Sequence, residues 1–330
     1  MDTILVTGGA GYIGSHTCKM LAKAGFLPIA YDNLATGHAY AVKWGPLIIG
    51  DLENRDKLYA TIDKFKPKAV LHFAASTLVL ESMENPGKYY RNNLGGSIAL
   101  LEAMRDYGIT NLIFSSTCAT YGPVRSIPIM ENHPQHPTNP YGRSKLMIEQ
   151  MISDFEAAHG MQSIILRYFN VAGADPEGEI GEHHVPETHL IPSIIEAALG
   201  LRKEILVYGI DFPTEDGSAI RDYVHVQDLA RAHVAALQHL LAHKKSAKIN
   251  LGTGTGYSVL EIIEAVQKLC TTPLPVKISF KKQGDLPILA ADNTLAKTLL
   301  GWTPSLSDLP SLIQSAWAWH QTLVRNFSKC

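Results

Sequence analysis

The chain has only four cysteines in 330 residues, Cys18, Cys118, Cys270 and Cys330, and no two of them stand in a CxxC or similar metal spacing. That excludes a disulfide framework and leaves reduced thiols of a cytoplasmic protein as the expectation. Fourteen histidines are present, but His183-His184 and His189 come without an HExxH motif, so no metal is expected. Charge of one sign is also missing: 29 Lys and Arg face 31 Asp and Glu. Neither nucleic acid nor an anionic membrane surface is indicated as a partner. No apolar run is long enough to cross a bilayer. The first strand pattern begins at Thr3, which leaves no room for a leader peptide. What remains, 46% apolar and 18% charged residues, is an ordinary globular composition for one large domain or two modest ones.

Glycine is concentrated at the start. Val6-Thr-Gly-Gly-Ala-Gly-Tyr-Ile-Gly14 sets Gly8, Gly11 and Gly14 three residues apart, just after an apolar strand pattern and just before a helical one. Strand, tight turn and helix start form a seat for a pyrophosphate. Glycine lets the backbone approach, and the helix end offers free N–H groups and positive potential. Glycines also cluster in ordinary turns, so the context carries the argument. Leu27-Pro-Ile-Ala-Tyr-Asp32 reads as a second strand, ending in a carboxylate where such folds bind the adenosine ribose diol. Asp32 would repel a 2′-phosphate and Asn33 offers no charge to hold one, so the cofactor expected is NAD rather than NADP.

Strand-like runs at Ile4–Thr7, Pro28–Asp32, Leu47–Ile49, Ala69–Phe73, Asn111–Ser115 and Ser163–Arg167 alternate with helical patterns at Tyr12–Ala24, Glu53–Phe65, Pro86–Tyr107 and Tyr141–His159. The alternation predicts an α/β fold, a Rossmann-like doubly wound parallel sheet over residues 1–169. After Asn170 the pattern loosens. Residues 171–189 read as loop, Leu190–Leu199 and Asp228–Leu241 as helices, and Glu204–Tyr208, Asp222–Val226 and Lys248–Leu251 as strands. Ser258 with Glu261 forms a capping box that opens a further helix. Residues 170–330 are expected to form a smaller α+β substrate-binding region, with segments near 222–251 returning to the main sheet. Gly252-Thr-Gly-Thr-Gly256 imitates a nucleotide loop, but no acid follows it at the ribose distance, so it reads as an ordinary turn.

Tyr141 and Lys145 stand four apart on a predicted helix and share a face. Tyrosine is a poor base at neutral pH, and a neighbouring ammonium is expected to lower its pKa. Thr117, at a strand end on the ligand edge of the sheet, can hydrogen-bond the same substrate hydroxyl. Alone, a Tyr-x-x-x-Lys pair is as well explained by a surface helix. Behind a dinucleotide turn and a Ser/Thr strand end it reads as catalytic.

With these motifs in place the chain resembles, over essentially its whole length, the extended short-chain dehydrogenase/reductases, and within them the UDP-hexose 4-epimerases. The resemblance also rests on Asp32-Asn33-Leu34, Gly50-Asp51, Val70-Leu-His-Phe-Ala-Ala75 and Tyr89-Tyr-Arg-Asn-Asn93. Leu166-Arg-Tyr-Phe-Asn170, Pro213-Thr-Glu-Asp-Gly217, Arg221-Asp-Tyr-Val-His225 and Gly284-Asp-Leu-Pro287 narrow it. It implies interconversion of UDP-glucose and UDP-galactose through a 4-keto sugar, with tightly bound NAD. It also implies a homodimer built on Pro86–Tyr107 and Tyr141–His159, with apolar contacts such as Ile98, Leu101, Met147 and Met151.

The roles implied by the resemblance begin with Gly8, Gly11, Tyr12, Ile13 and Gly14 along the pyrophosphate. Asp32 and Asn33 would hold the adenosine ribose, and Asp51 and Leu52 the adenine surroundings. Phe73, Ala74 and Asn93 would line the cofactor cleft, Phe169 the nicotinamide side, and Lys145 would also hold the nicotinamide ribose. Thr117 and Tyr141 would meet the sugar; Asn170, His189, Arg221, Lys282 and Asp285 would hold the uridine diphosphate; Leu289 would stand beside the hexose C2 substituent. The chain departs from the family pattern at His189 (often Asn), Lys282 (often Arg), Thr77 (often Lys) and Thr117 (more often Ser). Lysine is a point charge rather than a bidentate fork.

Other readings have weaker support. A 4,6-dehydratase needs an acid pair after the catalytic Thr, where Cys118-Ala119 supplies none. A 4-epimerase of another UDP-sugar (N-acetylhexosamine, pentose or uronate) is the alternative within the class. A net dehydrogenase would turn over free NAD. An NAD-sensing regulator would have no use for Thr117, Tyr141 and Lys145 together.

Overall fold

Strands that are apolar along their whole length need helices on both faces. Ala69–His72 and Asn111–Thr117 are buried at every position, and the fold supplies those layers. The structure is a computed structural model that describes residues 1–124, 126–281 and 285–327. The first half runs β1 (Thr3–Thr7), α1 (Tyr12–Lys23), β2 (Leu27–Asp32), β3 (Leu47–Ile49), α2 (Arg55–Phe65), β4 (Ala69–His72), α3 (Val79–Glu84), α4 (Pro86–Tyr89), α5 (Gly96–Asp106), β5 (Asn111–Thr117), α6 (Pro140–His159) and β6 (Gln162–Tyr168). The second runs β7 (Asn170–Ala172), α7 (Leu190–Ala198), β8 (Ile205–Tyr208), β9 (Ile220–Arg221), β10 (Tyr223–His225), α8 (Val226–His243), β11 (Ala247–Leu251), β12 (Tyr257–Ser258), α9 (Val259–Gln267), β13 (Val276–Ser279), β14 (Ile288–Leu289), α10 (Thr294–Leu300) and α11 (Leu309–Phe327).

Seven parallel strands form the central sheet in the order β11-β6-β5-β4-β1-β2-β3. The order reverses between β1 and β4, and in such sheets the ligand crevice opens at that switch point, beyond the carboxyl ends. Successive strand residues point to opposite faces. Ile4 and Val6 therefore pack with Leu21 of α1 and Leu229 and Leu237 of α8, while Leu5 packs with Leu58, Leu100 and Ile148 of α2, α5 and α6. Each such fully buried leucine contributes about 1.5–3 kcal/mol over an exposed one. A further core joins Ile191, Ile194 and Ile195 of α7 to Ile262 of α9 and Leu312 of α11.

The expected elements lie close to where the patterns put them, with four differences, the first being that Val171 and Ala172, expected in a loop, are in β7. The single helix expected over Pro86–Tyr107 is broken into α4, a π-helical turn at Tyr90–Gly95, and α5. The turn carries Asn93, whose amide is bonded to Ser76 and Ser144, and such bulges are commonest where a side chain must be re-aimed. Leu101, expected in an outer apolar stripe, is instead 2% exposed in the core. Of the segments expected to rejoin the sheet, β11 does so beside β6, whereas β10 pairs with β7 outside it. The capping box at Ser258 and Glu261 is present in both directions.

Candidate active site

The glycine turn is built for close approach. Gly8 has φ +73°, and a Cβ there would lie 2.7 Å from the Ala74 nitrogen, just past the end of β4 across the switch point. A Cβ on Gly14 would stand 2.1 Å from the Gly8 carbonyl. Helix α1 starts at Tyr12 after Gly11, with no side-chain cap and no acid in its first turn. Its first-turn N–H groups and dipole are therefore available to an anion. Asp32, 8% exposed, accepts hydrogen bonds from the backbone N–H of Ala10 at 2.9 Å and Leu34 at 2.8 Å. A carboxylate has about four acceptor sites, so Asp32 can brace the turn and still receive a ribose diol. Burial raises its pKa, against those two bonds. Asn33 donates to Asp51 at 2.8 Å, and Leu52 is buried beside them. Phe73 stacks near His233, with ring centroids 4.7 Å apart. The residues present thus fit a dinucleotide: a cradle that side chains would fill, an open helix end and an acid at the diol position.

The catalytic candidates come together at the end of β5. Thr117 closes that strand, and its hydroxyl lies near enough to Tyr141, at the start of α6, to favour the phenolate. Pro140 in the first turn and the Asn139 side chain, which accepts from Gly142, fix where the helix begins and so where Tyr141 points. Lys145 is 2% exposed and donates to the Ser115 carbonyl at 2.8 Å, with its ammonium 4.9 Å from the Phe114 ring centre. Burial lowers its pKa to about 7, against the pull of Glu149. One expectation is corrected here. The Tyr141 pKa is not lowered; burial pushes it well above the usual value, Tyr168 adds to that, and the Thr117 hydroxyl opposes it only in part. Desolvation of the phenolate outweighs what its neighbours offer it.

The substrate-side candidates divide into two groups. Phe169 packs in one cluster with Leu289 and Cys118, the neighbour of Thr117. Leu289 pairs in register with Arg221, whose guanidinium is 3.8 Å from Asp285 and donates to the Leu286 carbonyl at 2.9 Å. Asn170 follows directly and is exposed. Thr117, Tyr141, Phe169, Leu289, Arg221 and Asp285 thus form one continuous wall. His189, which caps α7, stands elsewhere along the cleft, on the side of Tyr12. Its ring lies 5.0 Å from that of His184, which in turn stands edge-on to Tyr12 at 6.5 Å. Lys282 lies outside the described residues.

Sequence reasoning missed several of the polar residues here. His189 is gripped by Glu187 at 2.8 Å and Glu182 at 3.0 Å, both nearly buried. Burial disfavours its charge, but the two carboxylates prevail and push its pKa up to about 10. Glu182, His184, Glu187 and His189 bring their ligand atoms within 4.8 Å of one another, a set that could hold a metal ion. In this structure it is a charge-balanced knot of ion pairs. The signal was the alternation of acid and histidine over 182–189, which the search for HExxH passed over. The Gly252–Gly256 loop is indeed no nucleotide site: its amides at Thr253 and Gly254 are taken by the buried carboxylate of Asp222.

Comparison with known proteins agrees with this geometry. The model of the NAD dependent epimerase/dehydratase family matches residues 4–252. A UDP-glucose 4-epimerase of Rhizobium leguminosarum bv. trifolii is 49% identical, over 97% of this chain and 97% of its own. The crystal structure of UDP-glucose 4-epimerase from Brucella ovis in complex with NAD superposes with a TM-score of 0.94 at 50% identity, covering 96% of this chain and 98% of that one. The Bifidobacterium longum enzyme in complex with NAD⁺ and UDP gives 0.91 at 36% identity, covering 99% and 100%. With the glycine cradle, the Tyr141–Lys145 helix and likeness over nearly the full length, the chain belongs to the NAD dependent epimerase/dehydratase family, and within it to the UDP-glucose 4-epimerases.

Proposed function

We propose that the chain interconverts UDP-glucose and UDP-galactose, and that the side chains assigned above carry out the reaction. The observation that carries the reading is the placement of Thr117, Tyr141 and Lys145 on one wall with Phe169 and Leu289, beyond the carboxyl ends of the strands that form the glycine cradle. Bound NAD supplies the oxidant and then the reductant for the sugar C4. Thr117 orients the 4-hydroxyl, and Tyr141 takes its proton and later returns it. Lys145 favours the phenolate, against the burial that raises the Tyr141 pKa, and a bound oxidised nicotinamide would add to that. Arg221 and His189 hold the diphosphate while the ketone turns over, so the nucleotide stays bound and the sugar stays loose. Conversion of UDP-galactose with no added nucleotide tests this. A requirement for added NADP would contradict it.

Residues 1–169 are the cofactor half and residues 170–330 mainly the substrate half in this reading, with β11 as the exchange between them. Met147 on α6 and Val79, Leu80 and Met83 on α3 are exposed apolar side chains on adjoining helices. They support a homodimer through the α4–α5 and α6 faces, and sedimentation as monomer alone at micromolar concentration would refute it.

Leu289 packs with Phe169 beside the catalytic wall, which fits the gate position. A hydrophobic pocket discriminates by only ~1–3 kcal/mol per methylene-sized change. UDP-glucose and UDP-galactose are expected as the main pair, with weaker action on the N-acetylated pair. Leu289→Tyr should abolish the second activity and spare the first. An unchanged ratio of the two rates would remove Leu289 from the gate.

A further inference from the structure

We infer that Glu149 is a positioning residue: its buried carboxylate clamps the helix bearing Tyr141 and Lys145 to the strand end bearing Thr117, and places an anion one helical turn beyond the Lys145 ammonium. This rests on the epimerase reading above. Tyr141, Lys145 and Glu149 are spaced by four residues, so they descend one face of α6. Three consecutive residues of β5 receive them. The Thr117 hydroxyl lies near Tyr141, the Ser115 carbonyl accepts from Lys145 at 2.8 Å, and the Ser116 hydroxyl donates to Glu149 at 2.6 Å. Helix and strand are thus locked in register over the residues that do the chemistry.

Glu149 is fully buried and Arg167 of β6 is 1% exposed. The guanidinium donates to Glu149 through Nε at 3.0 Å and Nη2 at 2.6 Å, and through Nη1 to the Tyr121 hydroxyl at 2.9 Å. Tyr121 passes the chain on to Asn250 at 2.7 Å, and Gln135 donates to Glu149 at 3.3 Å. A buried ion pair of this kind is weak evidence for stability as such. Its location gives it a second use. The Phe114 ring and Ser115 carbonyl of β5 lie against Lys145, and His72 of β4 and Glu149 of α6 are near enough to act on its charge; Tyr141 stands one turn before it on α6. His72 is no cation: burial lowers its pKa to about 3, and its ring is held between Thr7 and Ser97. Among the described residues Glu149 is the carboxylate that favours the charged form of Lys145.

The sign of the effect follows. Lys145 acts as a cation, so activity falls on the alkaline side as it loses its proton. Without the Glu149 charge that loss comes at lower pH, and the bell narrows from its alkaline limb. The test is the pH profile of kcat and the KM for UDP-galactose in the wild type, Glu149→Gln, Glu149→Asp and the double variant Glu149→Gln/Arg167→Met. The double variant leaves no unpaired buried guanidinium and protects the test against misfolding. We expect Glu149→Gln and the double variant to lose about tenfold or more in kcat near pH 8. KM should stay within about twofold, since the anchors of the nucleotide are untouched. The alkaline limb should move down by about one pH unit, and Glu149→Asp should return it. Wild-type pH profiles in both charge-removing variants, with only thermal stability reduced, would overturn the inference. A wild type inactive on UDP-galactose would instead overturn the epimerase reading.

Discussion

Tyr141→Phe will lower kcat for epimerisation by ~10²–10⁴-fold, the usual contribution of a positioned proton-transfer group. UDP binding, measured by calorimetry, should be nearly unchanged. The ring keeps its edge-on contact with Tyr89, at 6.5 Å between centroids, and only the hydroxyl near Thr117 is lost. Turnover within a few-fold of wild type would sink the assignment.

Gly14→Ala is expected to strip the protein of its cofactor. The added carbon would stand 2.1 Å from the Gly8 oxygen, 2.9 Å from the Gly8 carbonyl carbon and 3.0 Å from the Gly9 Cα. All three are backbone atoms, so no side chain can yield. Helix α1 must withdraw from the turn, and its N-terminus leaves the pyrophosphate it is there to meet. Overpacking of this kind costs about 1–3 kcal/mol or more. Affinity for NAD should fall by about fivefold or more given a loss of that size, read as bound NAD released by denaturation of the fresh protein. Gly11→Ala is the milder comparison, since its Cβ would meet only the Gly8 oxygen, at 3.3 Å. Equal NAD content in Gly14→Ala and wild type would show that the cradle does not depend on close backbone approach.

How far the sequence was legible depends on range. The glycine turn, the strand ends and α6 are written in local pattern: period-two and period-3.6 apolar residues with caps at Asn139 and Gly160. Helix α11 was equally legible and was passed over, for Asp308 caps it through Ser311 and a proline lies in its first turn. What could not be read was set by tertiary contact. The π-helical turn at Asn93 exists because that amide must reach Ser76 and Ser144. The grip of Arg167 on Glu149 joins separate elements whose pairing no spacing announces. The Tyr141 pKa was misjudged for the same reason. Spacing reveals a neighbouring ammonium, but not how little water reaches either group.

The most direct test of the account is to incubate the freshly purified protein with UDP-galactose labelled with deuterium at C4, with no nucleotide added, and to follow the sugar by NMR. The account predicts UDP-glucose that retains the deuterium at C4, approach to an equilibrium mixture, and no NADH released to solution. Loss of the label to solvent, or accumulation of a keto sugar with free NADH, would contradict it.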